Sequence, residues 1–442
     1  MYFKIFFIYD MIYNIIANKR KVVFFVEIAS LIVLVAAIAA AFIFKANTGL
    51  VAMTAALILA RCAGITDKWL VKQFDSNLFI MLLGVMYLFC IAQENKTLDL
   101  LSRKVLALCK GRVKLFPLIM FLLAAVLSAI GPGLISVSAL VAALSVALAK
   151  QSGIDPIKLL PFGTLGAFAG GLSPITPSGI VAIGVSAENG ITGLEAPLMI
   201  KMALTNILYA AILYFFVFKW QKEKNLPLAA GDAQEEKIPP FSAKQWMTLG
   251  GIVVVAVLAT VFSINVGLAS FAVAVVLTVF KAADEGAAMK RVPWNTLIMI
   301  AGVGILISLV TELGGIDLLS KALSSLMGPK TASAIMTVLA GVMSWVSSAS
   351  GVVMPTLIPT VPGIAATMQG ANVMEIVVGL CIGAHLAALS PLSSCGGLML
   401  SAYSSSEGVT AKDRNRVFAQ LFAMSAAGVA FGGLLALLGL YR

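Results

Sequence analysis

Gly170-Gly171-Leu172-Ser173-Pro174-Ile175-Thr176-Pro177-Ser178-Gly179 is a polar, helix-breaking run inside an apolar segment from Gly163 to Val185. It has a second copy 217 residues later: Leu389-Ser390-Pro391-Leu392-Ser393-Ser394-Cys395-Gly396 interrupts the apolar segment from Val377 to Leu400. Both read Ser-Pro-x-(Thr or Ser)-x-x-Gly. Hydrocarbon offers the backbone no hydrogen-bonding partner, so unwound peptide at membrane depth survives only where it packs in protein or lines a cavity. Two such interruptions at equivalent positions point to a midplane binding site.

Composition sets the class in which that reading holds. Of 442 residues 60% are apolar and 12% charged, and mean hydropathy is +1.01. This describes an all-α polytopic membrane protein. In such a chain the net charge of +11 marks cytoplasmic loops and gives no ground for nucleic-acid binding. Cys62, Cys90, Cys109, Cys381 and Cys395 are scattered, lack a C-x-x-C spacing, and indicate neither a disulfide framework nor a metal site.

Working outward, residues 1–21 read as an interfacial segment ending in Lys19-Arg20-Lys21. Apolar segments follow at 22–44, 49–66, 77–93, 115–149, 163–186 and 197–219, then a hydrophilic cytoplasmic linker, 221–244. The second half repeats the series at 246–262, 266–281, 294–312, 331–369, 376–401 and 415–440. The halves match at an offset of 218 falling to 217: Asn47 with Asn265, Gly49 with Gly267, Asn77 with Asn295, Gly84 with Gly302, Glu94 with Glu312, Gly166 with Gly383, Ser173 with Ser390. A constant offset over this length means internal duplication, with repeat 1 at 22–220 and repeat 2 at 245–442.

Segments 115–149 and 331–369 are too long for one crossing of about twenty residues and too short for two. Each breaks near its centre, at Ile130-Gly131-Pro132-Gly133 and at Ser347-Ser348-Ala349-Ser350-Gly351. They read as re-entrant hairpins, leaving five crossings, one hairpin and one broken helix per repeat. An odd number of crossings places the second repeat upside down relative to the first, giving inverted-topology repeats. The larger share of the 31 Lys and Arg then falls on the side holding the 96–114 loop, the linker and Lys281–Arg291, which is assigned to the cytoplasm. Leu98–Cys109 and its mate Ile316–Met327 read as amphipathic connectors along the interface.

Each helix that restarts after a break presents free N–H groups and a positive dipole end, chemistry suited to an anion. The leading residues are Gly131, Gly133, Ser136, Ser138, Ser178 and Gly179 in repeat 1, and Ser348, Ser350, Gly351, Ser394 and Gly396 in repeat 2. The preceding half-helices end in carbonyls that, with Ser173, Thr176, Ser390 and Ser393, make a candidate Na+ site. No Arg or Lys lies in the four broken elements, so recognition is expected to rest on dipoles, hydroxyls and a co-bound cation. His385, the single histidine, can hydrogen-bond a carboxylate, carry a transported proton, or be satisfied by a nearby carbonyl. Glu94 and Glu312 end equivalent helices and read as structural. With no internal Asp or Glu in hairpins or broken helices, sodium coupling is expected over proton coupling. An intramembrane enzyme finds no H-E-x-x-H, no aspartate pair and no second histidine, and an ion channel leaves the paired hairpins without a use. No cofactor is expected.

Hairpin, broken helix and duplication together resemble the ion transporter superfamily, and within it the malonate-type dicarboxylate carriers and the divalent-anion:sodium symporters. The resemblance covers nearly all of the chain after residue 22, and the loops at 173–179 and 390–396 look like the carrier branch. The symporters show Ser-Asn-Thr at each hairpin tip and Asn in each broken-helix loop. This chain has Gly131-Pro132-Gly133 and Ser348-Ala349-Ser350 at the tips, and Ser178 and Cys395 in the loops. The resemblance implies a homodimeric elevator carrier of small dicarboxylates in a bacterial-type inner membrane. The alternative is a proton-coupled carrier of another small anion.

Overall fold

The computed structural model describes residues 25–107, 113–151, 153–218, 239–262, 264–404 and 409–442. The segment 1–21 and most of the linker therefore lie outside the described residues. Repeat 1 contains α1 Phe25–Ile43, α2 Thr48–Cys62, α3 Asp67–Lys72, α4 Ser76–Glu94, α5 Thr97–Ala107, α6 Phe116–Ala129, α7 Leu134–Gln151, α8 Leu160–Gly170, α9 Pro177–Glu188 and α10 Glu195–Leu213. Repeat 2 contains α11 Ala243–Thr260, α12 Val266–Val279, α13 Glu285–Arg291, α14 Trp294–Glu312, α15 Gly315–Ser324, α16 Ala332–Val346, α17 Met354–Leu357, α18 Val361–Thr367, α19 Val373–Leu386, α20 Ser394–Ser404 and α21 Ala411–Leu437. The element order repeats, with one asymmetry: the outgoing arm opposite α7 is fragmented into a π turn at Ala349–Val353, α17, a 3-10 turn at Ile358–Thr360, and α18. Pro355, Pro359 and Pro362 account for this, since each removes a backbone donor.

Among the described residues seven helices are long and apolar enough to cross a membrane. Six of them are α1, α4, α10, α14, the broken helix Val373–Ser404 and α21, and the seventh is the arm Ala349–Thr367. At 1.5 Å per residue, α6 reaches about 21 Å and α8 about 16 Å, short of the ~30 Å hydrocarbon core. These are the dimensions of a hairpin arm and of half a broken helix.

Packing between the halves is reciprocal. Asn47 caps α2 and its Nδ2 donates to the Asn295 carbonyl at 2.8 Å, while Asn265 caps α12 and its Nδ2 donates to Asn77 Oδ1 at 2.8 Å. A Cβ on Gly84 of α4 would overlap the backbone of Gly267 in α12, and one on Gly302 of α14 would overlap the backbone of Gly49 in α2. So α2 lies on α14 and α12 on α4, each pair spanning both repeats at a distance that only glycine permits. A second group packs within its own repeat. Gly166 and Gly170 press α8 against the α6 backbone, and Gly379 and Gly383 press α19 against Ser333 and Thr337 of α16. The outer surfaces of α1, α11 and α12 carry exposed Ile32, Val35, Phe42, Val253, Val257, Val275 and Val279, an apolar covering suited to lipid.

Candidate functional site

Both broken helices close their gaps with the same hydrogen bonds. In repeat 1 Thr176 Oγ1 donates to the Gly171 and Ser173 carbonyls, each at 2.7 Å, and accepts from the Gly179 N–H at 3.1 Å. In repeat 2 Ser393 Oγ donates to the Ala388 and Ser390 carbonyls at 2.6 and 2.7 Å, and accepts from the Gly396 N–H at 3.3 Å. One hydroxyl thus serves the carbonyl end of one half-helix and the N–H end of the next, which explains why the motif requires Thr or Ser at that position. The terminal Gly is required because a Cβ on Gly179 or Gly396 would overlap the Ser173 or Ser390 carbonyl oxygen. In repeat 2 Ser425 Oγ also donates to the Ala387 carbonyl at 2.8 Å and accepts from Trp345 Nε1 at 2.9 Å, so the unwound backbone is satisfied inside the protein.

The hairpin tips differ in chemistry. Tip 1 turns through Gly131 at φ 123° and Gly133 at φ 88°, both in the left-handed region that favours glycine. Tip 2 uses a π turn whose first N–H groups are met by Ser348: its Oγ accepts from the Gly351 N–H at 3.1 Å. Both tips rest on long helices, Gly131 against the Phe89 ring of α4 and Gly351 against the Met299 side chain of α14.

All four interruptions reach one cavity of about 160 Å³. Tip 1 supplies Pro132, Gly133 and Ser136, the first loop Pro177 and Ser178, tip 2 Ser347, Ser348 and Ser350, and the second broken helix His385, Ser393, Ser394 and Cys395. The facing wall comes from Met86, Phe89, Cys90 and Gln93 of α4, Arg291 of α13, and Pro293 and Thr296. Of the residues singled out by sequence, Gly133, Ser136, Ser178, Ser348, Ser350, His385, Ser393 and Ser394 line the cavity. Gly131, Ser138, Ser173, Thr176, Gly179, Gly351, Ser390 and Gly396 do not; they hold the backbone behind it. Ser138 is buried beside Cys395. Of the four cation candidates, only Ser393 reaches the cavity.

His385 is fully buried, and its Nδ1 lies 2.7 Å from the Cys381 carbonyl. A carbonyl only accepts, so Nδ1 carries a proton, and in the neutral ring Nε2 is an acceptor. Among the described residues no group meets Nε2.

The structure adds one basic side chain to the cavity wall, Arg291. It lies outside the four broken elements yet lines the cavity, and its Nε donates to Glu94 Oε2 at 2.6 Å. Nothing local marked it, because it closes a short connector that α13 and Pro293 fold back over the end of α4.

Residues 24–171 match the family described as the N-terminus of the dicarboxylate carrier protein MatC. The protein is an integral, multi-pass membrane protein. Over 84% of its own length and 88% of the other chain, it also resembles the YdaH transporter of Alcanivorax borkumensis, with a TM-score of 0.57 and 14% identity, a likeness of fold. No curated protein matches the sequence.

Proposed function

We propose that the protein is a secondary active carrier of a small dicarboxylate of the malonate, succinate or malate type, working by elevator-type alternating access with sodium as the coupling ion. The carrying observation is the convergence of both hairpin tips and both broken-helix loops on one small cavity. Helix restarts at α7, α9 and α20 and the turn at Gly351 bring N–H groups and positive dipole ends toward it, and Ser136, Ser178, Ser350 and Ser394 add donors. The match of residues 24–171 to a dicarboxylate carrier supports the substrate class.

The cavity lies between two sets of helices, α4 and α13–α14 on one side and the hairpins with α8–α9 and α19–α20 on the other. An elevator needs such a seam, with the two repeats inverted and the α2–α14 and α12–α4 pairs as the fixed part of a homodimer in an inner membrane. For sodium, the loop carbonyls and the hydroxyls of Ser173, Thr176, Ser390 and Ser393 are the proposed ligands; Thr176 and Ser393, whose single hydrogen is shared between two carbonyls and which accept one N–H, each keep a lone pair. Proton coupling is the second reading, favoured by His385, which lines the cavity and whose buried Nε2 has no partner among the described residues.

Proteoliposome uptake tests both. Saturable succinate uptake that rises with an inward sodium gradient is expected, and sodium should tighten succinate binding by the factor that succinate tightens sodium. Uptake indifferent to sodium and driven by a pH gradient would transfer coupling to His385. Absence of carboxylate uptake under either gradient would remove the carrier reading.

A further inference from the structure

Arg291 stands at a boundary. It lines the 160 Å³ cavity and also a wider vestibule of about 560 Å³, and Gln93, Pro132, Ile135 and Ser136 line both as well. Glu94, Lys96 and Asp99 complete the charged part of the vestibule wall. The Arg291 side chain is 54% exposed and Glu94 22% exposed, so their ion pair is open to water and weak. An incoming carboxylate can therefore take the guanidinium over at small cost, with the planar fork suited to it.

The duplication supplies a comparison within the same molecule. At the repeat offset of 218, Arg291 corresponds to Gln73. Gln73 lines a separate cavity of about 330 Å³ with Lys72, Asp75 and Glu188, and that cavity holds none of the loop residues 171–176 or 390–396. The position is thus cationic on the side of the convergent breaks and neutral on the other.

We propose that Arg291 determines selectivity for doubly charged over singly charged carboxylates: the hairpin and loop N–H groups hold one carboxylate, and Arg291, exchanged from Glu94, holds the other. This rests on the dicarboxylate reading above. It gives Glu94 a definite role, that of the internal anion which the substrate displaces.

Binding of succinate and of butyrate to purified full-length protein by titration calorimetry, in the presence of sodium, tests it. The two ligands have equal chain length and differ by one carboxylate. Wild type should prefer succinate. Arg291→Gln, which installs the residue of the other repeat, should weaken succinate about tenfold, roughly 1.4 kcal/mol, and leave butyrate unchanged. Unchanged butyrate binding also reports an intact fold. Glu94→Gln should move succinate the other way, because the competing anion is gone. Arg291→Lys should restore part of the preference. Equal weakening of both acids by Arg291→Gln, an unaltered succinate-to-butyrate ratio, or weaker succinate binding in Glu94→Gln overturns the proposal while leaving the carrier reading intact. Wild type binding neither acid would overturn both.

Discussion

Thr176 in the first broken helix is fully buried, whereas Ser393 in the second makes the same three hydrogen bonds with part of its side chain open to the cavity. The tips divide in the same way: tip 1 is built from left-handed glycines and tip 2 from hydroxyls around a π turn. The two halves share the solution to the backbone problem and differ in chemistry. Repeat 1 contributes mainly backbone and shape, and repeat 2 contributes hydroxyls, the imidazole and, through α13, the guanidinium. A symmetric skeleton with an asymmetric lining can hold a ligand in one orientation.

Substitutions at matched positions can break that comparison, and the largest effects belong at the loop glycines. Gly179→Val and Gly396→Val each drive a side chain into a carbonyl oxygen that cannot retreat, and overpacking of this kind costs on the order of 3 kcal/mol or more. Both variants should lose most of their folded yield by size-exclusion chromatography. Tolerance of one and not the other would show that the two loops are not equivalent.

Next come the tips. Gly131→Leu combines a left-handed φ with a collision against Phe89, while Gly351→Leu meets only the flexible end of Met299 and the Ser348 hydroxyl. Strain at the first site is about 1–3 kcal/mol, confined to a turn. Both should remain folded in detergent and fail in proteoliposome uptake, with the lower thermal midpoint in Gly131→Leu. Wild-type uptake by both would remove the tips from the mechanism.

The capping hydroxyls sharpen the comparison at a smaller scale. Thr176→Val takes the hydroxyl from the Gly171 carbonyl and the Gly179 N–H in a dry site, while the Ser173 carbonyl keeps the backbone N–H of residue 176, and should cost about 1–2 kcal/mol. Ser393→Ala removes the same bonds where water can enter from the cavity, so about 0.5–1 kcal/mol is expected. Thermal midpoints rank them, and a larger loss at Ser393 would mean that burial does not control the difference.

The smallest effect is expected at His385, whose pseudo-symmetric partner is Phe168. His385→Gln keeps a donor within reach of the Cys381 carbonyl and leaves the α19 turn intact. Sodium-driven uptake should persist with affinity reduced by a few-fold, about 1 kcal/mol at most. Loss of all uptake, together with insensitivity of the wild type to sodium, would reverse the coupling assignment.

Much of this architecture was legible in the residues, because the determinants are local or periodic. A Thr or Ser three residues after Ser and three before Gly caps a restarted helix through bonds spanning at most five positions, so spacing alone encodes it. At the offset of 218 the small residues Gly49, Gly84, Gly267 and Gly302 stood out as matched pairs before their reciprocal contacts were visible. What sequence could not decide is which polar groups remain available once the backbone has taken its share. Thr176 spends its hydrogen on the chain, and His385 commits one nitrogen to Cys381 while the other has no partner among the described residues. Arg291 was hidden for the same reason, since it reaches the cavity through a contact with Glu94, 197 residues away. Spacing determines helices, breaks and caps because their hydrogen bonds close within a turn. The cavity wall is assembled from elements distant in sequence, so only tertiary packing decides which side chains face it.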